Sequence, residues 1–74
     1  MELFKDRFIK LRKEHGFTLV DLADKLGVSK SVISYWETGR NEPTICMLKK
    51  IAAFFDVSAD YLIGLEDEFG YKYK

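Results

Sequence analysis

The sequence predicts an all-α domain of five short helices with no obligatory sheet. Three observations lead to this fold class: apolar residues recur at helical spacing, Ser or Thr precedes four of the five apolar segments, and Gly follows four of them. The 74 residues include only five glycines and one proline, so we expect no internal linker. A chain of this length builds one small core, so we expect one domain at residues 1–64 and a tail at residues 65–74.

The first helix is expected at about residues 3–15, ahead of Gly16. Its apolar stripe repeats at i, i+4 and i+7 and consists of Phe4, Phe8 and Leu11. Three lysines lie off this stripe and are interpreted as a solvated face: Lys5, Lys10 and Lys13.

The next two helices are short and follow each other closely. Thr18 is placed to cap the second helix, and Asp21 can reach back to complete a capping box. Gly27 supplies the left-handed conformation that ends this helix, and Ser29 caps the third. The small Ala23 allows the two helices to cross closely. Two helices joined by a short turn containing Gly predict a helix-turn-helix.

The third helix, at residues 29–38, has one apolar and one polar side. The apolar side holds the helix on the core and consists of Val32, Ile33 and Trp36. The opposite side carries small or hydrogen-bonding residues: Lys30, Ser31, Ser34, Tyr35 and Thr38. A helix of this kind fits the major groove of DNA, so we expect it to be the recognition helix.

The last part of the chain predicts two more helices and the tail. Thr44 is placed to cap the fourth helix, and Asp56-Val57 breaks its apolar pattern. Ser58 is placed to cap a short fifth helix that runs through Ile63 and that Gly64 stops. In the tail, aromatic residues occupy alternate positions: Phe69, Tyr71 and Tyr73. Two interpretations remain open, namely a frayed terminus or an extended arm that packs on a second copy of the chain.

Composition narrows the possible functions. Twelve basic and twelve acidic residues give zero net charge, without the basic excess that phosphate neutralisation favours. The single Cys46 forms no internal disulfide or multi-cysteine zinc site, which suits the cytoplasm. No apolar run is long enough to span a membrane. One His and one Cys without a phosphate loop or metal spacing offer no basis for an enzyme, a cofactor or a small-molecule site.

Residues 8–64 resemble the phage-repressor helix-turn-helix family, the Cro/cI type that is also called the xenobiotic-response-element family. The resemblance implies a compact five-helix, lambda-repressor-like DNA-binding domain. The residues that carry it are Leu11-Arg12, Thr18, Leu22-Ala23, Gly27-Val28-Ser29, Ile33-Ser34, Trp36-Glu37, Gly39, Pro43, Leu48, Ile51-Ala52, Val57-Ser58 and Tyr61-Leu62-Ile63-Gly64.

The resemblance also implies roles for individual residues. The base-contacting positions of the family match Lys30, Ser31 and Tyr35, and Ser34 lies next to them. The positions that hold the DNA backbone match Thr18, Thr38, Arg40 and Asn41, and Leu19 could meet a phosphate through its backbone N–H. A structural ion pair is implied between Arg12 and Glu37.

We therefore expect a sequence-specific DNA-binding regulator, a repressor that binds a palindromic operator in double-stranded DNA as a homodimer. The dimer surface is predicted to use Phe54, Tyr61, Phe69, Tyr71 and Tyr73. The alternative is a protein-interaction module of the same fold. Zero net charge favours this alternative, as do two departures from the family: Leu19 replaces a frequent Gln, and Glu42 stands where basic residues are common.

Overall fold

Five α-helices follow one another in a computed structural model that describes residues 3–67 and 69–72. They are α1 (Phe4–Glu14), α2 (Leu19–Leu26), α3 (Lys30–Thr38), α4 (Ile45–Phe55) and α5 (Ala59–Leu62). The predicted all-α fold class is confirmed, and each helix begins and ends within about one residue of its predicted position. Within the described ranges, no helix has the length and apolar character needed to cross a membrane.

Four of the helices begin at a residue whose hydroxyl group caps the helix, as the sequence predicts. The side chains of Thr18, Ser29, Thr44 and Ser58 each accept the backbone N–H three residues later, at 2.9–3.2 Å. Each such cap contributes about 1 kcal/mol. Because these bonds are local, the four helix starts are determined by the sequence around them.

Left-handed residues end three of the helices. Gly27 ends α2 at φ = 72° and Gly39 ends α3 at φ = 78°. The break after α4 was predicted at Asp56-Val57, but its conformation was not. Asp56 itself adopts φ = 55°, the only positive φ of a non-glycine residue in the described chain. Asp tolerates this region better than most residues because its short carboxylate bonds locally.

The core is organised around Phe8 on α1. Its buried ring stacks on Phe4 at a centroid distance of 5.3 Å, meets Trp36 of α3 edge-on at 5.7 Å, and meets Phe55 of α4 at 6.4 Å. Ile33 of α3 is fully buried in the same cluster. Such aromatic pairs add about 0.5–1.5 kcal/mol each to the hydrophobic contribution. Helix α1 therefore packs against the buried side of α3.

Arg7 lies in the middle of the apolar side of α1 and is only 3% exposed. Its guanidinium lies 4.3 Å from the centre of the Tyr61 ring, and its Nη1 donates to the carbonyl oxygens of Tyr61 at 3.0 Å and Glu66 at 2.8 Å. A second cation holds the tail from outside, since the Lys72 ammonium pairs with Asp60 of α5. The start of the tail is thus attached to α1, and its last described residue is attached to α5.

The tail folds back on itself. The Asp67 carboxylate accepts the backbone N–H groups of Phe69 and Tyr71, each at 2.9 Å, and the Asp67 N–H donates to the Tyr71 carbonyl at 2.8 Å. Glu66 and Lys72 form an isolated antiparallel bridge. The described part of the tail is therefore a closed turn and not an extended segment, while its packing on a second copy of the chain stays a prediction. Tyr73 lies outside the described residues.

Candidate nucleic-acid interface

The helix-turn-helix is formed by α2 and α3, joined at Gly27, Val28 and Ser29. The inner side of α3 is buried on the core through Ile33 and Trp36. A contact that the sequence analysis missed supports the turn from outside: Lys50 of α4 donates from Nζ to the Leu26 carbonyl at 2.8 Å. Because 24 residues separate the two partners, no local sequence pattern predicts this bond.

The outer side of α3 carries the predicted base-contacting residues. Lys30 and Ser31 are exposed in its first turn, and Ser34 and Tyr35 follow one turn later as half-buried residues. Positions i, i+1, i+4 and i+5 share one side of a helix, so the fold brings all four together. Thr38, one further turn along, is exposed and donates from its hydroxyl to the Tyr35 carbonyl at 3.3 Å.

The loop after α3 folds against Tyr35. The backbone N–H groups of Arg40 and Asn41 donate to the Tyr35 carbonyl at 3.0 and 3.3 Å, and the Arg40 guanidinium lies 4.6 Å from the centre of the Tyr35 ring. An exposed cation–π contact of this kind contributes about 0.5–1 kcal/mol. The residue predicted to contact bases therefore also positions a residue predicted to contact the backbone.

The start of α2 forms the other end of the candidate interface. Thr18 is exposed, whereas the Leu19 side chain packs against the core, so only its backbone N–H could meet a phosphate. The Thr18 N–H donates to the Asp21 carboxylate at 3.1 Å. This bond, together with the Thr18 hydroxyl, lowers the pKa of the Asp21 carboxyl below its ordinary value. A fixed negative charge thus lies beside this end of the interface.

Arg12 and Glu37 form the pair that the resemblance implies. Arg12 donates from Nε to Glu37 Oε2 at 2.6 Å and from Nη2 to Glu37 Oε1 at 3.1 Å, while its Nη1 donates to the Phe17 carbonyl at 2.9 Å. The two side chains are 15% and 12% exposed. One guanidinium thus connects α1 to α3 and to the segment that precedes α2, and it neutralises the carboxylate of the recognition helix.

The residues predicted for a dimer surface do not share one environment. Phe54, Phe69 and Tyr71 are 39%, 78% and 72% exposed. Tyr61 is only 8% exposed and is packed in the core against Arg7, so its assignment to an exposed dimer surface was wrong. Three further apolar residues near the two ends of the helical domain are exposed and were not predicted: Leu3, Ile63 and Leu65.

Comparison with known proteins agrees with this geometry. A helix-turn-helix family model matches residues 8–62. The chain belongs to that family. The HTH-type transcriptional regulator SinR of Bacillus licheniformis is 41% identical over 66 residues, which cover 88% of the chain and 60% of the regulator. The chain spans 54–60% of the length of three such curated relatives.

Two solved structures with DNA have the same fold. The P22 c2 repressor in complex with a synthetic operator superposes with a TM-score of 0.79 at 30% identity, covering 85% of this chain and 96% of the repressor chain. SinR in complex with DNA gives a TM-score of 0.73 at 39% identity, covering 81% and 97%. The predicted membership of the phage-repressor type is confirmed.

Proposed function

We propose that this chain is a sequence-specific DNA-binding regulator of transcription that binds its operator through the outer side of α3. The observation that carries this function is the placement of Lys30, Ser31, Ser34 and Tyr35 together on an exposed side of a helix whose inner side is buried. The operator complex of the P22 c2 repressor and the DNA complex of SinR support it. Its relatives are transcriptional regulators, not enzymes.

The side chains of α3 differ in what they offer a base pair. Lys30 is a flexible cation that suits the acceptors of guanine, while the Tyr35 ring suits a thymine methyl and its hydroxyl suits a phosphate. The Ser31 hydroxyl both donates and accepts, so it contributes to preference without specifying a base alone. Ser34 lies between these groups and adds a second hydroxyl to the same side.

Two ends of the interface are proposed to hold the sugar-phosphate backbone. At one end lie Thr18 and the backbone N–H of Leu19, where the start of α2 favours an anion. At the other end lie Thr38, Arg40 and Asn41. Such contacts fix the orientation of α3 on the duplex without reading its sequence.

A homodimer on a palindromic operator completes the proposal. One domain of this size covers one half-site, and two domains about 34 Å apart give the affinity that regulation requires. Phe54, Phe69 and Tyr71 remain candidate dimer residues, as does Tyr73, which lies outside the described residues, whereas Tyr61 is excluded because it belongs to the core. The action is proposed to be repression, in the cytoplasm and at the nucleoid.

A protein-interaction module is the second candidate function. Zero net charge favours it, as does the fixed carboxylate of Asp21 beside the proposed phosphate site at Leu19. The Glu42 carboxylate adds to this effect at the other end of the interface. A module of this kind would bind a protein partner and would bind DNA weakly or not at all.

Electrophoretic titration of random duplex at low and moderate salt distinguishes the two functions. Micromolar binding that collapses with salt supports a DNA-binding protein. Absence of binding at low salt would refute it and leave the protein-interaction module. Selection of sites from a random duplex library then identifies the operator, and a palindromic consensus would support the homodimer.

Variants test the assignment of contacts within the interface. Ser31→Ala is expected to relax base preference, with Kd for random duplex unchanged. Arg40→Ala is expected to weaken binding to all duplexes alike and to lower the salt slope by about one. Lys49→Ala removes an exposed cation of α4 outside the interface and serves as the control.

A further inference from the structure

A groove of about 610 Å³ lies between the beginning of α1 and the end of α3. On the α3 side it is lined by Thr38, Arg40 and Asn41, the three residues proposed to hold the DNA backbone. On the α1 side it is lined by Leu3, Phe4 and Lys5, and apolar side chains of Trp36 and Ile63 also line it. Lys5 of the first helix therefore lies beside one end of the candidate interface.

Lys5 lies closely along the loop that follows α3. A Cβ atom built on Gly39 would be 3.3 Å from Lys5 Cδ and 3.9 Å from its Nζ, so the lysine stem covers this glycine. The residue is half-buried. The residue is thus only partly solvated, because the fold places its ammonium beside the loop.

The groove contains the donor groups that bind a phosphate. Lys5 and Arg40 bring two cations, while Thr38 and Asn41 add a hydroxyl and an amide. Lysine and arginine with Ser, Thr or Asn side chains are the usual partners of phosphate oxygens in protein–DNA complexes. Glu42 lines the same groove and opposes the two cations, so the second cation matters more than it would on a basic surface.

We propose that Lys5 contacts a backbone phosphate of the operator and completes a phosphate site with Arg40, Thr38 and Asn41. The proposal rests on the DNA-binding function proposed above and adds a contact from α1 to it. The contact adds affinity and fixes the position of the duplex beyond the end of α3, but it reads no base.

Lys5→Met tests this contact because methionine keeps an unbranched stem over Gly39 and removes the charge. Loss of one phosphate contact is expected to lower the magnitude of the slope of log K against log salt by about 0.9. If both chains bind equally at about 1 M salt, Lys5→Met then binds about eightfold more weakly than the wild-type chain at about 0.1 M salt. Lys5→Arg keeps a cation and is expected to keep both slope and affinity. Lys49→Met, on the exposed side of α4, is the charge-matched control.

Single methylphosphonates placed along the selected operator locate the contact. At one position, the neutral substitution is expected to weaken binding by the wild-type chain more than binding by Lys5→Met, because the variant keeps only the Arg40 cation at this phosphate. Equal losses for the two chains at every position would overturn the proposal, as would a salt slope for Lys5→Met equal to that of Lys49→Met.

The same experiment separates this inference from the proposed function. Salt-dependent binding of duplex by the wild-type chain, with Lys5→Met indistinguishable from the control, would refute the Lys5 contact alone. Absence of duplex binding by the wild-type chain at low salt would refute both. Thermal unfolding of each variant, followed by circular dichroism, checks that the helices remain folded.

Discussion

Substitutions in the ion pair between Arg12 and Glu37 are expected to have large and non-additive effects on the free energy of unfolding. The perturbation is a pair of nearly isosteric apolar substitutions, Arg12→Met and Glu37→Leu, made singly and together. Arg12→Met removes two hydrogen bonds to the Glu37 carboxylate and one to the Phe17 carbonyl. Glu37→Leu leaves the guanidinium with the Phe17 carbonyl and without a counter-charge.

The magnitude follows from the burial of the pair. With side chains only 15% and 12% exposed, removal of one partner strands a mostly desolvated charge, which costs about 3 kcal/mol. For a domain of 74 residues the whole free energy of unfolding is about 4–11 kcal/mol. A loss of about 3 kcal/mol lowers Tm by about 12–24 °C at this size. The double variant is expected to lose about 1 kcal/mol, because neither charge remains unpaired.

Urea unfolding followed by circular dichroism measures the free energy of unfolding of the wild-type chain, the two single variants and the double variant, which together form a double-mutant cycle. The expected coupling between the two substitutions is several kcal/mol, since each single variant is less stable than the double variant. Lys13→Met, which removes an exposed cation next to Arg12, is the control and is expected to change stability by less than about 0.5 kcal/mol. Additive losses in the double variant would refute the reasoning.

Three further predictions concern the interface and its supports. Tyr35→Ala is expected to relax base preference and also to weaken binding to all duplexes, because Arg40 loses the ring beneath it; Tyr35→Phe keeps the ring, so it is expected to weaken binding to random duplex less than Tyr35→Ala does. Lys50→Met removes the bond to the end of α2 and is expected to cost about 1 kcal/mol in chemical unfolding, whereas Lys49→Met costs nothing measurable. The lowered pKa of Asp21 stabilises the fold above the ordinary value of 3.8, and this contribution is lost as the pH falls through the folded pKa. In unfolding series over pH, the advantage of the wild-type chain over Asp21→Asn should therefore shrink below about pH 4; an advantage that did not change with pH would contradict this cause.

Local signals account for the part of the structure that the sequence predicted well. Each predicted hydroxyl cap bonds a backbone N–H only three residues away, so the partners are close in the unfolded chain as well. The left-handed ends of α2 and α3 require glycine, and glycine is present at both. The recognition helix and its two sides follow from these boundaries.

Contacts between distant segments account for what the sequence did not predict. Arg7 bonds a carbonyl 59 residues away, and that bond helps to fold the tail back. One signal was nevertheless present, because position 7 lies at i+3 from Phe4, within the apolar stripe of α1, where a cation needs a partner. Lys5 offered no such signal, since its place beside Gly39 depends on how α1 and α3 pack.

The contact between Tyr35 and Arg40 has a consequence for how operator preference diverges among relatives. A substitution at position 35 changes what is read in the groove and, in the same step, how firmly the duplex is held. A new preference acquired there would have to be accompanied by a change at position 40, whereas Ser31 lies one turn away from this pair. Divergence of specificity is therefore expected to begin at position 31, with positions 35 and 40 changing together.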